Sequence, residues 1–262
     1  MSTADRRVLL LRLAGPMQSW GDRSAFNRRE TRPEPTKSGI VGLLAAAAGR
    51  RREACIADLA GLRLGVRVDQ AGSLLRDYHT VSDYRGLPLP QAAVSAKGVQ
   101  KLTSPAKHTH VTQRFYLQDA VFLAGVEGPG DLITTLAKAV AAPAFPLALG
   151  RRSCVPTQPV NLGSRDADLE RALSEEVWQV SDHARKRLAR KGRPATVQLS
   201  ATFEDPDGDD VAHDQPVSFD PLRRAFTSRR IRHDWLTVPS GFAHPDPQAD
   251  IADHDPFALL DW

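Results

Sequence analysis

A lysine and a serine stand directly before a run of small apolar residues in the segment TRPEPTKSGIVGLLAAAAG, residues 31–49. Lys-Ser entering a helix is how a nucleotide-binding P-loop ends, but that loop also needs two upstream glycines, and threonines occupy both positions here. The two prolines between those threonines lack the N–H groups that would wrap a phosphate. Nucleotide hydrolysis is therefore excluded. The segment predicts either an anion site formed by Lys37 and a helix capped by Ser38, or an ordinary capped helix beside solvated arginines.

Aromatic and basic residues mark two further stretches. The loop AGPMQSWG, residues 14–21, carries Trp20, which could stack on an unpaired base or close the hydrophobic core. The segment LRDYHTV, residues 75–81, alternates like a strand, so Arg76 and Tyr78 share one face, and its aspartate and histidine share the other. Contact with a nucleic acid and a half-exposed strand with an Asp–Arg ion pair both agree with this pattern.

The segment LGRRSC, residues 149–154, places two arginines after a glycine at the mouth of a predicted strand. Guanidinium groups bind phosphate in a bidentate manner, so Arg151 and Arg152 could grip a nucleic-acid backbone. A chain this rich in arginine also contains such pairs by chance.

Metal-dependent chemistry is not expected. The His-x-His pair at residues 108–110 has no cysteine or acidic partner at metal-site spacing. Residues 205–210, DPDGDD, depart from the EF-hand order and predict a hairpin turn. No metal and no cofactor is therefore predicted. Lys107 and His108, with a tyrosine, could assemble a metal-independent ribonuclease in which His is the general acid or base and Lys stabilises the phosphorane.

Positive charge is concentrated in the first three quarters of the 262 residues. Residues 1–200 carry 30 Lys and Arg against 18 Asp and Glu, whereas residues 201–262 carry 5 against 13. A basic body attracts phosphates or acidic surfaces. The apolar runs fall short of the roughly 20 residues of a membrane helix, so no membrane contact is expected. The chain has two cysteines, which excludes a disulfide scaffold and favours a reducing cytoplasm.

Hydrophobic periodicity predicts the order strand–helix–strand–strand–helix–strand, the ferredoxin-like arrangement shared with the RNA-recognition module. The predicted elements are strands at residues 8–13, 63–69, 74–81, 109–117 and 120–126, helices at 38–48 and 131–142, and a last strand beside residues 149–154. The strands at 109–117 and 120–126 are predicted to pair with each other around a tight turn at 118–119. Residues 85–108 predict an extended loop or a protruding hairpin. Residues 161–245 predict a C-terminal extension with a polar helix at 166–176 and strands at 196–203 and 231–238. The acidic tail, residues 246–262, is expected to be loosely packed.

Five motifs follow one another in residues 6–160: LRLAGPMQSWG, TRPEPTKSGIVGLLAAAAG, LRDYHTV followed by DYRG, YLQDAVF, and LGRRSC. In this order and at these distances they resemble the CasD family, subunits of the type I-E CRISPR surveillance complexes called Cascade, within the repeat-associated (RAMP) superfamily. The resemblance is close for residues 6–160 and loose for the remainder.

The resemblance implies an α+β fold: a ferredoxin-like core at residues 1–160, a protruding β-hairpin thumb at about 85–108 and a β-rich C-terminal extension. It implies a non-catalytic subunit that holds the 5′ handle of the CRISPR RNA, caps the filament of Cascade backbone subunits, contacts the large subunit and meets target DNA only indirectly. Relatives in type I-C systems cut precursor RNA with Tyr, Lys and His, so a metal-independent endoribonuclease remains the alternative. The residues expected to bind RNA are Gln18, Trp20, Arg29, Thr31, Lys37, Ser38, Arg76, Tyr78, His79, Arg114, Arg151, Arg152 and Ser153.

Overall fold

The computed structural model describes residues 6–21, 27–83, 96–97, 108–190 and 192–242. The thumb predicted at 85–108 lies outside the described residues, apart from residues 96–97 and 108, and so does the tail predicted at 246–262. The strands are β1 (Arg6–Ala14), β2 (Met17–Gln18), β3 (Arg28–Arg29), β4 (Arg63–Gln70), β5 (Ser73–Asp83), β6 (His108–Gln118), β7 (Val121–Pro129), β8 (Asn161–Arg165), β9 (Thr196–Glu204), β10 (Asp210–Ser218) and β11 (Ala225–Pro239). The helices are α1 (Lys37–Ala47), α2 (Ala57–Ala60), α3 (Gly130–Ala141), α4 (Leu169–Glu175) and α5 (Asp182–Ala189).

Seven strands form the larger sheet, sheet A, in the order β10-β11-β9-β4-β7-β1-β8, and every neighbouring pair is antiparallel. β1 is an interior strand because its residues 8–11 are apolar on both faces and fully buried. The strands β9, β10 and β11 extend the sheet beyond β4. The prediction of a mixed α and β fold is confirmed, with mostly antiparallel strands and few helices. Within the described ranges, none of the helices combines the length and the apolarity needed to cross a bilayer.

Helices α1 and α3 cover one face of sheet A. Their apolar residues recur with helical spacing and bury Ile40, Val41, Leu44, Ile133, Leu136 and Val140 in one core with the strands. Both helices lie within one residue of their predicted bounds. The predicted cap is wrong, because the N-cap residue of α1 is Thr36 rather than Ser38. The Thr36 side chain accepts a hydrogen bond from the N–H of Gly39 at 3.2 Å.

The opposite face of sheet A is covered by α4 and the segment that follows it. Arg67 and Asp69 of β4 form an ion pair there with a 2.7 Å contact and no exposed side-chain surface. Arg67 also donates to the backbone carbonyl oxygens of Leu173, Glu176 and Val177. A buried ion pair is tolerated when its remaining donors are satisfied in this way. The pair therefore fastens the end of α4 to the sheet.

Sheet B, the smaller sheet, has four strands, and two of them, β5 and β6, connect directly along the chain to strands of sheet A. β6 pairs with β5 along its whole length and with β2 and β3 on its other edge. The chain passes from β4 to β5 at Gly72 and from β6 to β7 at Asp119, with φ of 72° and 55°. A side chain at Gly72 would collide with the carbonyl oxygen of Gln118. Residues 109–117 and 120–126 thus belong to different sheets, and the predicted strand pair is wrong.

Two predictions for the second half of the chain are also wrong. Residues 149–154 do not lead into a strand; the next strand of sheet A is β8, which pairs with β1. Residues 205–210 do not form a hairpin turn, because the strands they connect, β9 and β10, both pair with β11 and lie on either side of it. The helix expected at 166–176 is present as the shorter α4.

Candidate nucleic-acid interface

Sheet B presents two faces, and the register of β5 against β6 assigns each side chain to one of them. Arg76 lies opposite Phe115, and Tyr78 lies opposite Gln113. Directly opposed residues of antiparallel strands point to the same side of a sheet. These four side chains therefore share one face, which we call the outer face. The predicted pairing of Arg76 with Tyr78 on one face agrees with this register.

The outer face combines guanidinium groups with aromatic surface. Arg28 of β3 is aligned with Gln113, and its guanidinium carbon lies 5.1 Å from the centroid of the Phe115 ring. Arg76 is exposed, and Tyr78 is 60% exposed. One side of the Phe115 ring is thus covered by a cation, whereas the Tyr78 ring is open. This face can offer charge to phosphates and a ring to a base.

Arg28 is held in place by a weak, solvent-exposed ion pair. Its Nε donates to the Glu30 carboxylate at 2.7 Å, and the two side chains are 65% and 53% exposed. Exposed ion pairs of this kind contribute about 0–1 kcal/mol. Arg28 can therefore exchange Glu30 for a phosphate at little cost.

The other face of sheet B, the reverse face, has mixed charge. Arg114 of β6 is aligned with Arg29 on one side and with Asp77 on the other. His79, two residues beyond Asp77 on β5, belongs to the same face. Arg29 is exposed, whereas Arg114 and His79 are half-buried. The reverse face therefore offers cations, but a carboxylate lies beside them.

Arg151 fastens the reverse face to the turn at residues 149–154. Its guanidinium donates to the carbonyl oxygens of Phe115 at 3.2 Å and Arg29 at 2.7 Å. The same group lies 4.8 Å from the centroid of the Tyr116 ring, and Tyr116 is buried. The Arg151 guanidinium is thus largely engaged by groups of its own chain, and these contacts position β3 against β6.

The turn itself packs closely on the first loop. Gly150 has a φ of 89°, and a side chain there would collide with the carbonyl oxygen of Ser19. The backbone N–H of Ser19 donates to the carbonyl oxygen of Leu149 at 3.1 Å. Arg152 and Ser153 are exposed on this turn, which leaves both side chains accessible to a partner.

The start of α1 is closed by carboxylates from the C-terminal strands. Lys37 Nζ donates to both carboxylate oxygens of Glu204 at 2.7 Å, and the Lys37 backbone N–H donates to Asp214 at 2.6 Å. Arg229 completes the network with a 2.7 Å bond to Asp214. The Lys37 side chain is 3% exposed. The predicted anion site is therefore filled from within the chain, and the Lys37 side chain has little surface left for RNA.

Burial lowers the pKa of the Lys37 ammonium, and the neighbouring Glu204 carboxylate opposes that decrease.

Glu34 forms a second link between the first long loop and the C-terminal strands. It accepts a hydrogen bond from Thr202 Oγ1 at 2.9 Å, and that oxygen lies 2.9 Å from Nδ1 of His233. Burial raises the pKa of the Glu34 carboxyl.

Gln18 and Trp20 are core residues, with 0% and 1% of their surface exposed. The Gln18 amide donates to the carbonyl oxygens of Leu13 at 2.9 Å and Ala120 at 2.8 Å, and its oxygen accepts from Trp20 Nε1 at 3.1 Å. Their polar groups are therefore satisfied internally. Trp20 packs into the core, and neither side chain has exposed surface to offer RNA.

Thr31 and Ser38 use their hydroxyl groups locally. Thr31 Oγ1 accepts from the N–H of Trp20 and donates to the carbonyl oxygen of Arg32, both at 2.9 Å. Ser38 Oγ lies 3.3 Å from Oγ1 of the helix cap, Thr36. Both residues support the path of the first loop into α1, and neither joins the outer face.

Three outer-face residues, Arg28, Gln113 and Phe115, are absent from the predicted site. The alternation of β6 contains part of the signal, because Gln113 and Phe115 are two residues apart. Placing them beside Arg76 and Tyr78 requires the register of β5 against β6. Arg28 lies on a strand of two residues, which is too short to have a recognisable period.

The alternative ribonuclease gains no support from the described residues. Lys107 lies outside them, and His108 is described only as the first residue of β6. In the part of the chain that the structure describes, no group of three His, Cys, Asp or Glu could hold a metal ion.

Comparison with known proteins identifies the family. The family model described as CRISPR-associated protein (Cas_Cas5) matches residues 8–232. This chain belongs to the Cas5 family of CRISPR-associated proteins. The Cas5 chain is 36% identical over 187 residues to the CRISPR system Cascade subunit CasD of Escherichia coli (strain K12), a match that covers 64% of the chain and 76% of that relative.

Two solved structures are similar to this Cas5 chain. A chain of a CRISPR RNA-guided surveillance complex has a TM-score of 0.70 and 38% identity, covering 93% of this chain and 96% of that one. A structure described as a Cas protein has a TM-score of 0.65 and 38% identity, covering 89% and 98%. The resemblance to type I-E CasD proteins, drawn from five motifs, is confirmed.

Proposed function

We propose that this Cas5-family chain is an RNA-binding subunit of a CRISPR Cascade surveillance complex and that its outer face holds the 5′ handle of the CRISPR RNA. The observation that carries the proposal is the exposed Tyr78 ring beside Arg76, on the face that also carries Arg28 and Phe115. Aromatic rings that stack single-stranded bases, flanked by cations that contact phosphates, are the usual means of binding unpaired RNA.

The relatives support the assembly. The E. coli relative is named as a Cascade subunit, and one similar solved chain belongs to an RNA-guided surveillance complex. We infer that this chain likewise acts in antiviral defence, next to Cascade backbone subunits and the large subunit, in the cytoplasm. Target DNA is met only indirectly, through the complex.

The remaining exposed candidates divide between RNA and protein neighbours. We propose that Arg29, His79 and Arg114 on the reverse face, with Arg152 and Ser153 on the adjoining turn, contact either the RNA or a flanking subunit. Arg151 acts through its contacts with β3 and β6. The outer face is favoured for the RNA because its described residues include no carboxylate besides Glu30, whose contact with Arg28 is weak.

We further infer that β1, α1, β4, β7, α3 and β8 make up a ferredoxin-like core. The strand order β4-β7-β1-β8 with antiparallel neighbours supports this inference. The core would then extend through β8, a few residues past 160, and residues 166–242 would form the extension. The thumb remains a proposal for residues 85–108, between β5 and β6.

We infer that the subunit is non-catalytic. Its outer-face side chains include Arg28, Glu30, Arg76, Tyr78, Gln113 and Phe115, and none of these types has an ordinary pKa near neutrality. This composition suits binding rather than proton transfer.

Direct binding of a handle RNA tests the proposal. Fluorescence anisotropy of the purified chain with a labelled RNA carrying the repeat-derived 5′ handle should give tighter binding than a scrambled RNA of the same length. Equal affinity for the two RNAs would reduce the interaction to nonspecific charge attraction and would contradict the proposal.

A further inference from the structure

The hairpin of β10 and β11 ends in an ordered turn built around Asp220. The Asp220 carboxylate accepts the N–H of Leu222 at 2.8 Å, its carbonyl oxygen accepts the N–H of Arg223 at 3.0 Å, and its own N–H donates to Ser218 Oγ at 3.2 Å. Asp followed by Pro is typical of the first two positions of a type I turn. The turn therefore fixes the backbone beneath Leu222.

Leu222 is 93% exposed at the end of this turn. We call residues 217–226 the hairpin tip. Val217 is 57% exposed and Phe226 is 39% exposed, so the tip presents three apolar side chains to water. Leu222 is the most exposed of the three and is held on a hydrogen-bonded turn, so it is the apolar residue of the tip best placed to meet a partner.

The two arginines of the hairpin tip form no ion pair within the described residues. Arg229 on the same hairpin is paired with Asp214, but no described carboxylate forms an ion pair with Arg223 or Arg224. Both arginines are exposed. The tip thus carries two arginines against one carboxylate, Asp220, which accepts the N–H of Leu222, and a complementary partner would supply further carboxylates.

The aromatic geometry favours a protein partner over a nucleic acid. The Arg224 guanidinium lies 5.1 Å from the centroid of the Phe226 ring, and the Phe219 ring lies 6.5 Å away, tilted by 58°. One side of the Phe226 ring is therefore covered by a cation, in contrast to Tyr78 on the outer face. Leu222 has no aromatic ring on which a base could stack. An aliphatic side chain followed directly by two arginines instead suits an apolar pocket with an acidic rim.

We propose that the hairpin tip docks into an apolar pocket with a carboxylate rim on another protein subunit of the complex. Leu222 enters the pocket, and Arg223 and Arg224 contact its rim. The existence of such a complex rests on the proposed function, but the surface itself is separate from the outer face that is assigned to RNA.

The test uses the tagged full-length chain, co-expressed with the other Cascade subunits and a CRISPR RNA. The variants are Leu222→Ser and the double variant Arg223→Glu/Arg224→Glu, and the control is Val211→Ser, a 45% exposed residue at the opposite end of β10. Native mass spectrometry of the purified complexes measures which subunits remain. Separate anisotropy measurements give the affinity of each free chain for the handle RNA.

Both tip variants should reduce the retention of one protein subunit by about tenfold, as expected for loss of a central anchor. RNA affinity should stay within about twofold for Leu222→Ser, because the tip lies outside the RNA site. The Val211→Ser complex should be complete. Full retention of every subunit by both tip variants would overturn the docking proposal, as would a parallel loss of RNA affinity in Leu222→Ser. A wild-type chain that retains neither RNA nor subunits would instead overturn the proposed function.

Discussion

The ammonium group of Lys37 lies 2.7 Å from both carboxylate oxygens of Glu204, although 167 residues separate them along the chain. The contact joins the start of α1 to the last residue of β9, and Asp214 and Arg229 extend it to β10 and β11. The acidic C-terminal strands thus neutralise a basic residue of the first helix. The contact makes β9–β11 part of the same cooperative structure as the first helix.

Replacing Lys37 should affect folding rather than RNA binding. Lys37→Met leaves the half-enclosed Glu204 carboxylate with Arg229, 3.9 Å away, as its remaining cation. Removing one partner of a buried pair costs about 3–5 kcal/mol, and Arg229 should lessen that cost. Chemical unfolding should therefore show a much lower free energy of unfolding. The double variant Lys37→Met/Glu204→Gln should recover part of that loss. A Lys37→Met protein with wild-type stability and weakened RNA binding would instead show that Lys37 is part of an RNA-binding anion site.

Trp20 and Tyr78 should respond to truncation in opposite ways. Trp20→Ala opens a cavity in the core and should lower the free energy of unfolding by about 3–5 kcal/mol. The folded fraction should keep its RNA affinity. Tyr78→Ala removes an exposed ring, so unfolding should change little. Thermal melting and RNA anisotropy on the same two samples separate these effects, and a stable Trp20→Ala protein with weak RNA binding would contradict the account.

Glu34 should make folding stability depend on pH. Burial raises its pKa in the folded state, against the opposing hydrogen bond from Thr202 and the charges of His233, Arg229 and Arg32. A carboxyl with a raised folded pKa takes up protons on folding, so its contribution to stability is present at low pH and is lost as the pH rises through that pKa.

The variant Glu34→Gln removes this titration and keeps an oxygen that can accept from Thr202 Oγ1. Its free energy of unfolding should exceed that of the wild type near neutral pH, and the two proteins should converge at low pH, where Glu34 is protonated in both states. Glu53→Gln, a change at an exposed position, is the matched control. A difference that is constant across the pH range would show that the titration of Glu34 is not its cause.

The purified chain should leave precursor repeat RNA intact, with or without a chelator. Denaturing electrophoresis after prolonged incubation measures this directly. Cleavage that persists without metal and is abolished by His108→Ala would show that the endoribonuclease alternative is the correct one.

Much of the sheet framework could be predicted from local patterns. The buried run in β1 and the apolar spacing of α1 and α3 follow from hydrophobic periodicity, and the alternation of β5 places Arg76 and Tyr78 together. The passage from one sheet to the other at Gly72 and Asp119 could not be predicted in this way. The local sequence of a turn is the same whether the two strands that it connects pair with each other or enter different sheets.

The candidate site was predictable only in part, since its composition depends on distant partners. Lys37 has the local sequence of an anion site, but Glu204 and Asp214, which occupy it, lie in the last quarter of the chain. Trp20 in a Gly- and Pro-containing loop could equally face solvent or the core. Arg28 becomes part of the outer face only because β3 aligns with β6. Local patterns contain no information on these long-range contacts.

The most direct test of the outer face compares Arg76→Ala and Tyr78→Ala with Arg187→Ala, a control that removes the same charge from an exposed position on α5. Handle-RNA affinity would be measured by anisotropy across a range of salt concentrations. Tyr78→Ala should lose about 1–3 kcal/mol of binding free energy with an unchanged salt slope. Arg76→Ala should weaken binding and reduce the magnitude of the slope by about 0.7, the value for one phosphate contact on a single strand. If all three variants bind handle RNA with the wild-type affinity and slope, the outer face is not the RNA-binding surface.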